Sequence, residues 1–506
     1  MHDNRIMDNP LYTVAQLREI ERAAYAELEP GSLMRRAGEA AAKYALELLG
    51  DKRDLPVLLL AGPGNNGGDA LEMAAVLADA GVDATVLYLP GQRTTSDEAA
   101  SAHERARDGT VGFIDMLPPD AQWGLVVDGL FGIGLTRPIE GEYRALVAAL
   151  DELRCPILAL DVPSGLDADT GAVIGPDGIA VRATHTITFL GDKPGLHTAD
   201  GRDHAGQVRV EPLGVAPRLL PPPAARLGSA DSFAQHLAAR RHNTHKGSFG
   251  DVAVIGGAHG MAGAPVLAAR GALFAGAGRT FVAMIDPGPG YDSVQPEIMF
   301  RLADEFEFDK RTLVIGPGMG GSASAMRLLA RALDSDSPLV IDADAITLIG
   351  ASPDLLKRLA QRSSPAVLTP HPLEAARLLG MTAPGIQAER LAAARAIAVR
   401  SNAAVILKGS GSVIARPDGS IFINPTGNAG LATAGSGDVL AGICAALLAQ
   451  GWPAWEAALG AAWIHGTAAD LLVAHGVGPI GMTAGELPAA ARAVLNLLVA
   501  EKAGLT

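Results

Sequence analysis

The sequence TGNAGLATAGSGDVLAGI, residues 426–443, is the most informative stretch of the second half of the chain. Its small residues lead into an apolar run, residues 439–448, that predicts a helix. Gly435 and Gly437 let backbone N–H groups converge on a phosphate or a developing negative charge. Asp438 then lies at the positive end of the helix dipole. Gly-Ser-Gly-Asp alone is also a common helix cap, but the whole segment favours an anion site with a general base.

Short apolar runs alternate with helical segments before this stretch, which is typical of a parallel sheet covered by helices. Residues 412–415 and 420–423, joined through Arg416-Pro417-Asp418-Gly419, predict an antiparallel hairpin at one side of the sheet. The predicted strands are residues 251–255, 279–285, 312–315, 339–341, 366–369 and 403–407, and the predicted helices include residues 264–275 and 373–379.

The first half shows a second alternating series, which predicts a doubly wound sheet. Residues 57–61 form a continuous apolar run that leads into the glycine loop Gly62–Asp69 and then a helix at residues 70–80. Further strands are predicted at residues 84–89, 124–128, 156–161 and 184–190, and helices at residues 13–28 and 31–49, the second with Ser32 as its cap.

Length and composition bound the class of protein. A chain of 506 residues is long for one core, and residues 215–223, VAPRLLPPP, interrupt both series, so we expect an α/β protein with domains at residues 1–220 and 221–506. The net charge of −14 argues against nucleic-acid or membrane-surface binding.

Residues 1–10 do not resemble a signal sequence, and no uninterrupted apolar run is long enough to span a bilayer, so we expect a cytoplasmic protein. Cys155 and Cys444 are predicted to be buried core residues.

Polar loops follow the strands of the first half, where ligands collect in such sheets. Four glycines and two asparagines within Gly62–Asp69 suit a phosphate or polar ligand, although each polar strand end could also be a turn or cap. Asp161 is the candidate general acid or base. Asn66, Asp128 and Ser164 offer only oxygen donors and suit a hard cation.

The second half has a comparable rim of loops. Lys408 could neutralise a phosphate or be an ordinary surface lysine, and His371 could bind a ligand or be a solvated loop residue. The loops comprise residues 246–251, 256–264, 316–320, 342–345, 369–374 and 408–412.

The motifs of the first half resemble the NAD(P)H-hydrate epimerase family, which has a Rossmann-like three-layer sandwich fold. Here Ala70 follows Gly-Gly-Asp where that family usually has glycine. The resemblance implies that Asp161 is catalytic and that Asn66, Asp128 and Ser164 bind potassium. It also assigns the hydrated dinucleotide to Asn65, Asn66, Gly67, Gly68, Asp69, Gly132, Ile133, Gly134, Leu135, Thr136, Arg137, Pro138 and Asp161.

The motifs from residue 242 to beyond residue 442 resemble the NAD(P)H-hydrate dehydratase family, which has a ribokinase-like α/β sandwich fold. Leu373 here replaces a glycine that relatives often have between the histidine and the glutamate. The resemblance implies that Asp438 is catalytic, that Ala264, Gly318, Gly320, His371, Glu374 and Asp438 contact the substrate, and that Lys408, Gly409, Ser410, Gly411, Ser412 and Gly437 hold the adenine nucleotide.

Together the two resemblances imply an enzyme that repairs hydrated NADH and NADPH. The first domain would interconvert the R and S epimers, and the second would dehydrate the S epimer with ADP or ATP and magnesium. The partners would be these small molecules alone, with no nucleic acid or membrane, and the chain would form a homo-oligomer. A ribokinase-like small-molecule kinase, and a first domain that serves only as a binding or oligomerisation module, remain alternatives at this stage.

Overall fold

A computed structural model describes residues 9–119 and 121–504, which form two compact units. The first unit comprises residues 9–226 and the second begins at residue 227. Each unit has its own sheet, helices and apolar core.

Seven parallel strands form the sheet of the first unit, in the order β4-β3-β2-β5-β6-β7-β8, and a short antiparallel pair, β1 with β9, lies apart from it. The strands are β1 (Pro10–Leu11), β2 (Val57–Ala61), β3 (Ala84–Leu87), β4 (Gly112–Ile114), β5 (Leu125–Gly129), β6 (Ile157–Leu160), β7 (His185–Phe189), β8 (Gln207–Glu211) and β9 (Ala225–Leu227). The α-helices are α1 (Val14–Tyr25), α2 (Ser32–Leu49), α3 (Asn65–Asp79), α4 (Asp97–Asp108), α5 (Gly141–Leu150) and α6 (Gly201–His204).

Alternate side chains of the inner strand β2 pack into two separate apolar cores. Val57, Leu59 and Ala61 pack into one core, while Leu58 and Leu60 pack into the other. Because successive side chains of a strand point to opposite faces, a continuous apolar run implies cover on both faces. The first unit is therefore a three-layer sandwich.

The second unit is built on a sheet in the order β18-β17-β16-β15-β14-β13-β10-β11-β12, parallel from β16 to β12 and antiparallel at the hairpin β17–β18. Its strands are β10 (Asp251–Gly256), β11 (Arg279–Met284), β12 (Met299–Leu302), β13 (Thr312–Ile315), β14 (Leu339–Ile341), β15 (Ala366–Leu368), β16 (Ala404–Leu407), β17 (Val413–Ala415) and β18 (Ile421–Ile423). Its α-helices are α7 (Gly263–Phe274), α8 (Ala323–Asp334), α9 (Ala343–Gly350), α10 (Pro353–Ala360), α11 (Pro372–Leu379), α12 (Ala383–Ala388), α13 (Arg390–Ser401), α14 (Ser436–Ala449), α15 (Ala454–Ala474) and α16 (Leu487–Lys502).

Helices α7 and α14 pack against each other at glycine contacts. A methyl group on Gly442 would lie 1.9 Å from the carbonyl oxygen of Ala268, and one on Gly271 would lie 2.6 Å from that of Val439. Such close backbone approach fixes how α14 lies in the core.

Helix α15 is, by length and composition alone, the one candidate membrane span among the described residues. Glu456, His465 and Asp470 interrupt its apolar residues, so it is not an uninterrupted apolar run. Moreover, 61% of its apolar window is buried inside the protein, as in the core helix of a globular domain.

The structure confirms the alternating series and the hairpin, and it corrects several bounds. Helix α3 begins at Asn65, so the second half of the predicted glycine loop is helical. Gly31 precedes α2, and Ser32 is its first residue rather than its cap. Strands β4, β8 and β12 were not predicted, because their mixed polar and apolar residues are only partly buried. Both cysteines are free, but only Cys444 is fully buried.

Candidate active sites

A cleft with a volume of about 560 Å³ lies at the carboxyl ends of the strands of the first unit. It includes Asn65, Asn66 and Asp69 from the start of α3, and Asp161 after β6. Gly132, Ile133, Gly134, Leu135, Thr136 and Arg137 also line it. Most of the residues predicted for the first ligand therefore surround one space.

Three of the predicted residues contribute packing instead of cleft surface. A methyl group on Gly67 would lie 1.8 Å from the carbonyl oxygen of Gly62, and one on Gly68 would lie 2.6 Å from the side chain of Met34. Pro138 lies against Gly175, where an added methyl would approach it to 2.4 Å. These residues let α3 and the loop after β5 come close to their neighbours.

Asp161 is held by a buried lysine that the sequence analysis did not single out. The Nζ of Lys193 lies 2.8 Å from Asp161 Oδ1, and it also donates to Thr188 Oγ1 at 2.5 Å. The Lys193 side chain is 1% exposed. Asp161 itself has a φ of 65°, which is uncommon for a residue with a side chain and recurs at functional sites. The aspartate is thus fixed in orientation and supplied with a positive charge.

Asp128 and Ser164 form a buried oxygen cluster. The Ser164 hydroxyl donates to Asp128 Oδ1 at 2.6 Å, and the Ser164 N–H donates to Asp128 Oδ2 at 2.8 Å. Burial raises the pKa of Asp128 to about 6, although the hydrogen bonds from Ser164 and Leu130 act to lower it. Asn66 is also buried, and its side-chain amide has no hydrogen-bond partner among the described residues. A buried amide oxygen without a partner is expected to have a ligand.

Further acidic groups line the same cleft. Glu98 accepts hydrogen bonds from the Tyr25 hydroxyl at 2.9 Å and from the Gly31 N–H at 2.8 Å, which ties α4 to the α1–α2 connection. Burial, followed by the charges of Asp161 and Glu21, raises the pKa of Asp69 well above its ordinary value.

In the second unit, Asp438 lies in the first turn of α14, as the sequence predicted. Gly435, with a φ of 89°, precedes the helix in a conformation that favours glycine. Burial and the neighbouring Asp342 raise the pKa of Asp438 to about 7, while Lys408 acts in the opposite direction. A carboxylate with a pKa near 7 is suited to take a proton at neutral pH.

Lys408 lies at the centre of this site and is not a surface residue. Its Nζ is 2.7 Å from Asp342 Oδ1 and 3.9 Å from Glu374 Oε2, and it would approach a methyl group on Gly437 to 3.1 Å. Burial alone would lower the pKa of Lys408, but the charges of Asp342 and Glu374 raise it above its ordinary value. The ammonium group therefore stays charged beside the N-terminus of α14. Asp342 also accepts from Thr369 Oγ1 at 2.7 Å.

His371 and Glu374 form the N-terminal cap of α11. The N–H of His371 donates to Glu374 Oε2 at 2.7 Å, and His371 Nδ1 accepts from the N–H of Leu373 at 3.1 Å. Leu373 therefore fits the cap with its side chain exposed. Burial, opposed by Lys408, raises the pKa of Glu374 to about 7, whereas burial and Lys408 lower the pKa of His371.

Two loops complete the rim. Gly318, with a φ of 56°, lies against Ala264, and the N–H of Gly320 donates to Asp344 Oδ2 at 2.9 Å. The loop of residues 408–412 is held from behind by Arg390, which is 1% exposed and donates to the carbonyl oxygens of Leu407, Lys408 and Gly411. In this loop Gly409, with a φ of 144°, lies against the Arg390 guanidinium, and Ser412 Oγ donates to the carbonyl oxygen of Gly409 at 3.2 Å.

Sequence reasoning missed Lys193 and Arg390 and named Asp342 only as part of a loop. Lys193 could have been predicted, because it lies in a short polar segment, Gly191-Asp192-Lys193, soon after the end of β7. The other site residues were predicted from the same kind of position, a polar residue after a strand. Arg390 begins a helix and carries no such signal.

The two sites define a class of protein: a two-domain α/β enzyme with one oxygen-lined cleft and one helix N-terminus that brings an aspartate close to a buried lysine. Residues 252–490 match the family model described as NAD(P)H-hydrate dehydratase, and residues 30–195 match the one described as YjeF-related protein N-terminus. The chain belongs to the family of bifunctional NAD(P)H-hydrate repair enzymes. This confirms the Rossmann-like and ribokinase-like folds expected from the sequence.

The relatives span nearly the whole chain. The bifunctional NAD(P)H-hydrate repair enzyme of Coxiella burnetii is 36% identical, over 96% of this chain and 99% of that relative. That of Escherichia coli is 35% identical, over 99% of this chain and 98% of the relative. Among solved structures, the ADP/ATP-dependent NAD(P)H-hydrate dehydratase of Bacillus subtilis, co-crystallised with ATP and Mg²⁺, is 28% identical with a TM-score of 0.47, over 53% of this chain and 97% of that one.

Proposed function

We propose that residues 1–220 interconvert the R and S epimers of hydrated NADH and NADPH, and that residues 221–506 dehydrate the S epimer with ADP or ATP. The observation that carries this proposal is the placement of Asp438 in the first turn of α14, within electrostatic reach of the Lys408 ammonium, which is itself ion-paired with Asp342. The chain is also similar to bifunctional repair enzymes along its whole length. The same similarity favours repair over a small-molecule kinase with a non-catalytic first domain.

In the second unit, Asp438 takes the proton of the substrate hydroxyl as that oxygen attacks the terminal phosphoryl group of the nucleotide. The N–H groups at the start of α14 and the Lys408 ammonium stabilise the charge of the transferring phosphoryl group. Phosphate then leaves with the hydroxyl oxygen, because phosphate is a far better leaving group than hydroxide. The adjacent ring carbon loses a proton to solvent in the same elimination, and the electrons of that C–H bond form the C=C double bond. The products are NADH or NADPH, phosphate, and AMP or ADP.

The other predicted residues of the second unit are assigned to the substrate or to the nucleotide. We propose that Ala264, Gly318, Gly320, His371 and Glu374 contact the substrate and that residues 408–412 and Gly437 contact the nucleotide. No group of three or more His, Cys, Asp or Glu side chains in residues 9–119 and 121–504 is arranged to hold a metal. Magnesium would enter bound to the nucleotide phosphates, whose charge it would neutralise.

In the first unit, Asp161 is the proton-transfer group, and the residues that line the cleft contact the hydrated dinucleotide. The unpartnered amide of Asn66 and the buried pair Asp128–Ser164 supply oxygen atoms only, which fits potassium. When bound, potassium would supply a positive charge next to the ligand. Replacement of potassium by lithium is expected to lower epimerase activity, and Asn66→Leu is expected to remove that ion dependence.

Absorbance at 340 nm tests both activities. Purified protein is added to a mixture of R and S NADH hydrates with ADP or with ATP. We expect absorbance to return completely with at least one nucleotide, and the nucleotide that works is the donor. Recovery of the S fraction alone would remove the epimerase assignment, and no recovery with either nucleotide would remove the repair function.

We further propose that the protein is cytoplasmic and acts on small molecules, and that it forms a homo-oligomer. The oligomer stays a prediction from the family resemblance. Sedimentation velocity of the full chain at micromolar concentration tests it, and a single species of 51.8 kDa would contradict it.

A further inference from the structure

Two aspartates line the cleft of the first unit, and they differ in whether a cationic side chain forms an ion pair with them. Asp161 is paired with Lys193 Nζ at 2.8 Å, and the N–H groups of Ile133 and Phe189 also point at its carboxylate, at 3.4 and 3.5 Å. Asp69 lines the same cleft, yet within residues 9–119 and 121–504 no lysine, arginine or histidine forms an ion pair with it. Among the described residues, one carboxyl group therefore has a buried counter-ion and the other does not.

The sheet brings these two groups to one cleft from different strands. Asp69 belongs to α3, which follows β2, and Asp161 follows β6. Strand β5 lies between β2 and β6, and its own loop, residues 132–137, lines the cleft between them. Strands two places apart are separated by about 10 Å, so the two carboxyl groups reach the cleft from separate elements.

Epimerisation at the hydrated carbon needs a group on each face of the ring. The hydroxyl must leave from one face and water must add to the other. We propose that Asp69 is a second catalytic residue of the first unit and gives the proton to the departing hydroxyl, while Asp161 takes the proton from the incoming water. This assignment rests on the epimerase function proposed above.

The step balances without any co-reactant. The C–O bond breaks with a proton from the Asp69 carboxyl group, so the hydroxyl leaves as water, and the lone pair of the adjacent ring nitrogen forms a C=N double bond. A second water adds to that carbon from the opposite face and gives its proton to the Asp161 carboxylate. The ring nitrogen recovers its lone pair, and the proton has moved from Asp69 to Asp161. The reverse reaction uses the same two groups with their roles exchanged.

The electrostatic surroundings of Asp69 agree with this role. Burial, followed by the negative charges around it, raises the pKa of Asp69 well above its ordinary value, which favours its protonated form. The charged and titratable groups near it are Glu21, Arg18 and Tyr25 from α1, Glu72 from α3, Glu98 and Arg105 from α4, and Asp161 with Lys193.

The test follows the R and S hydrates of NADH by chromatography on the full chain, without nucleotide, in water enriched in ¹⁸O. The wild type is expected to interconvert the epimers and to place one ¹⁸O in the hydroxyl per interconversion. Asp69→Asn is expected to lower both rates at least about 100-fold, because the amide has no acidic proton to give. Asp69→Glu, which keeps that proton, is expected to retain a measurable fraction of the activity.

The outcomes separate this inference from the epimerase function. A wild type that does not interconvert the epimers overturns both. An active wild type with an equally active Asp69→Asn variant, or with interconversion that retains ¹⁶O, overturns the inference alone. The pH profile gives an independent readout: the rate must fall as pH rises through the pKa of Asp69. Glu21→Gln removes one of the charges that raise this pKa and must move that alkaline limb to lower pH; an unmoved limb contradicts the assignment.

Discussion

Among single residues, Asp438 is the group that we propose as the general base of the dehydratase. Its carboxylate must be ionised to take a proton, and its pKa is raised to about 7, mainly by burial. The dehydration rate is therefore expected to fall as pH drops below 7. Asp438→Asn is expected to lower kcat by roughly 10²- to 10⁴-fold, measured as NADH formation from the S epimer.

The control for this prediction is Asp354→Asn, which removes an exposed carboxylate from the same unit, where the Asp354 side chain is 70% exposed. It is expected to leave the rate unchanged. Epimer interconversion by Asp438→Asn should also remain at the wild-type rate. Turnover by Asp438→Asn within tenfold of the wild type would show that another group is the base.

Lys408 sets the position of that pH dependence. Its positive charge acts to lower the pKa of Asp438, against burial and Asp342. Lys408→Met is therefore expected to move the acidic limb of the kcat profile to higher pH and to lower the rate at pH 7. Lys408→Arg keeps the charge and should leave the limb near its original pH, although its different shape can lower the maximum rate. A limb that moves equally in both variants would contradict the electrostatic explanation.

The pair Lys193–Asp161 couples stability to the epimerase site. Lys193→Met leaves Asp161 without its counter-ion, and breaking a largely buried pair costs about 3 kcal/mol. We expect a lower thermal unfolding midpoint and lost epimerisation. The double variant Asp161→Asn with Lys193→Met removes both charges and should recover most of the stability but no activity. If Lys193→Met and the double variant have the same unfolding midpoint, the unpaired charge of Asp161 is not the cause of the lost stability.

At the scale of elements, the contact between α7 and α14 positions the base. Because a methyl group on Gly442 would lie 1.9 Å from the carbonyl oxygen of Ala268, Gly442→Ala must push the two helices apart. We expect a loss of about 2 kcal/mol in the free energy of unfolding and a lower kcat, since α14 carries Asp438. Thermal unfolding and the rate of NADH formation measure the two effects.

Gly263→Ala is the matched control, since Gly263 begins α7 and a methyl group there meets nothing within 4 Å. Alanine favours helix over glycine, so this variant should be as stable as the wild type or slightly more so. Equal destabilisation by both substitutions would show that glycine flexibility, and not the close helix contact, matters at Gly442.

The elements also show what the sequence could predict. Strand β2 is a continuous apolar run buried on both faces, and β5 begins with the apolar run Leu-Val-Val before Asp128, so both strands could be placed from the sequence. Strand β8 could not be found in this way, because its residues alternate between partial burial and exposure at the edge of the sheet. The start of α3 was placed too late because Asn65–Asp69 contains two glycines, which disfavour helices, and only their close packing against Gly62 and Met34 makes helix acceptable there.

The site was predictable to the extent that its residues follow strands. Asp128, Asp161 and Glu374 were found from that position, while the ion pairs of Asp161 with Lys193 and of Asp342 with Lys408 join residues 32 and 66 positions apart. No local pattern reports such a pairing. The pKa values near 7 of Asp438 and Glu374 likewise depend on burial, which only the folded chain supplies.

At the scale of the whole molecule, two compact units, each with its own apolar core, carry the two sites. A substitution in one unit should therefore leave the chemistry of the other intact. Such independence is what a repair enzyme for two epimers requires, because the S epimer formed in the first site is the substrate of the second.

Mixing two inactive variants tests this independence. Full-length Asp161→Asn should dehydrate the S epimer but not use the R epimer, and full-length Asp438→Asn should interconvert the epimers but form no NADH. With the R epimer and the nucleotide that serves as donor, an equimolar mixture is expected to restore absorbance at 340 nm, because the S epimer can diffuse from one chain to the other. Asp161→Asn alone, at twice the concentration, measures the background from spontaneous epimerisation. If the mixture is no faster than this background while each variant keeps its own single activity, the S epimer does not pass between chains, and the two sites must act on the same polypeptide.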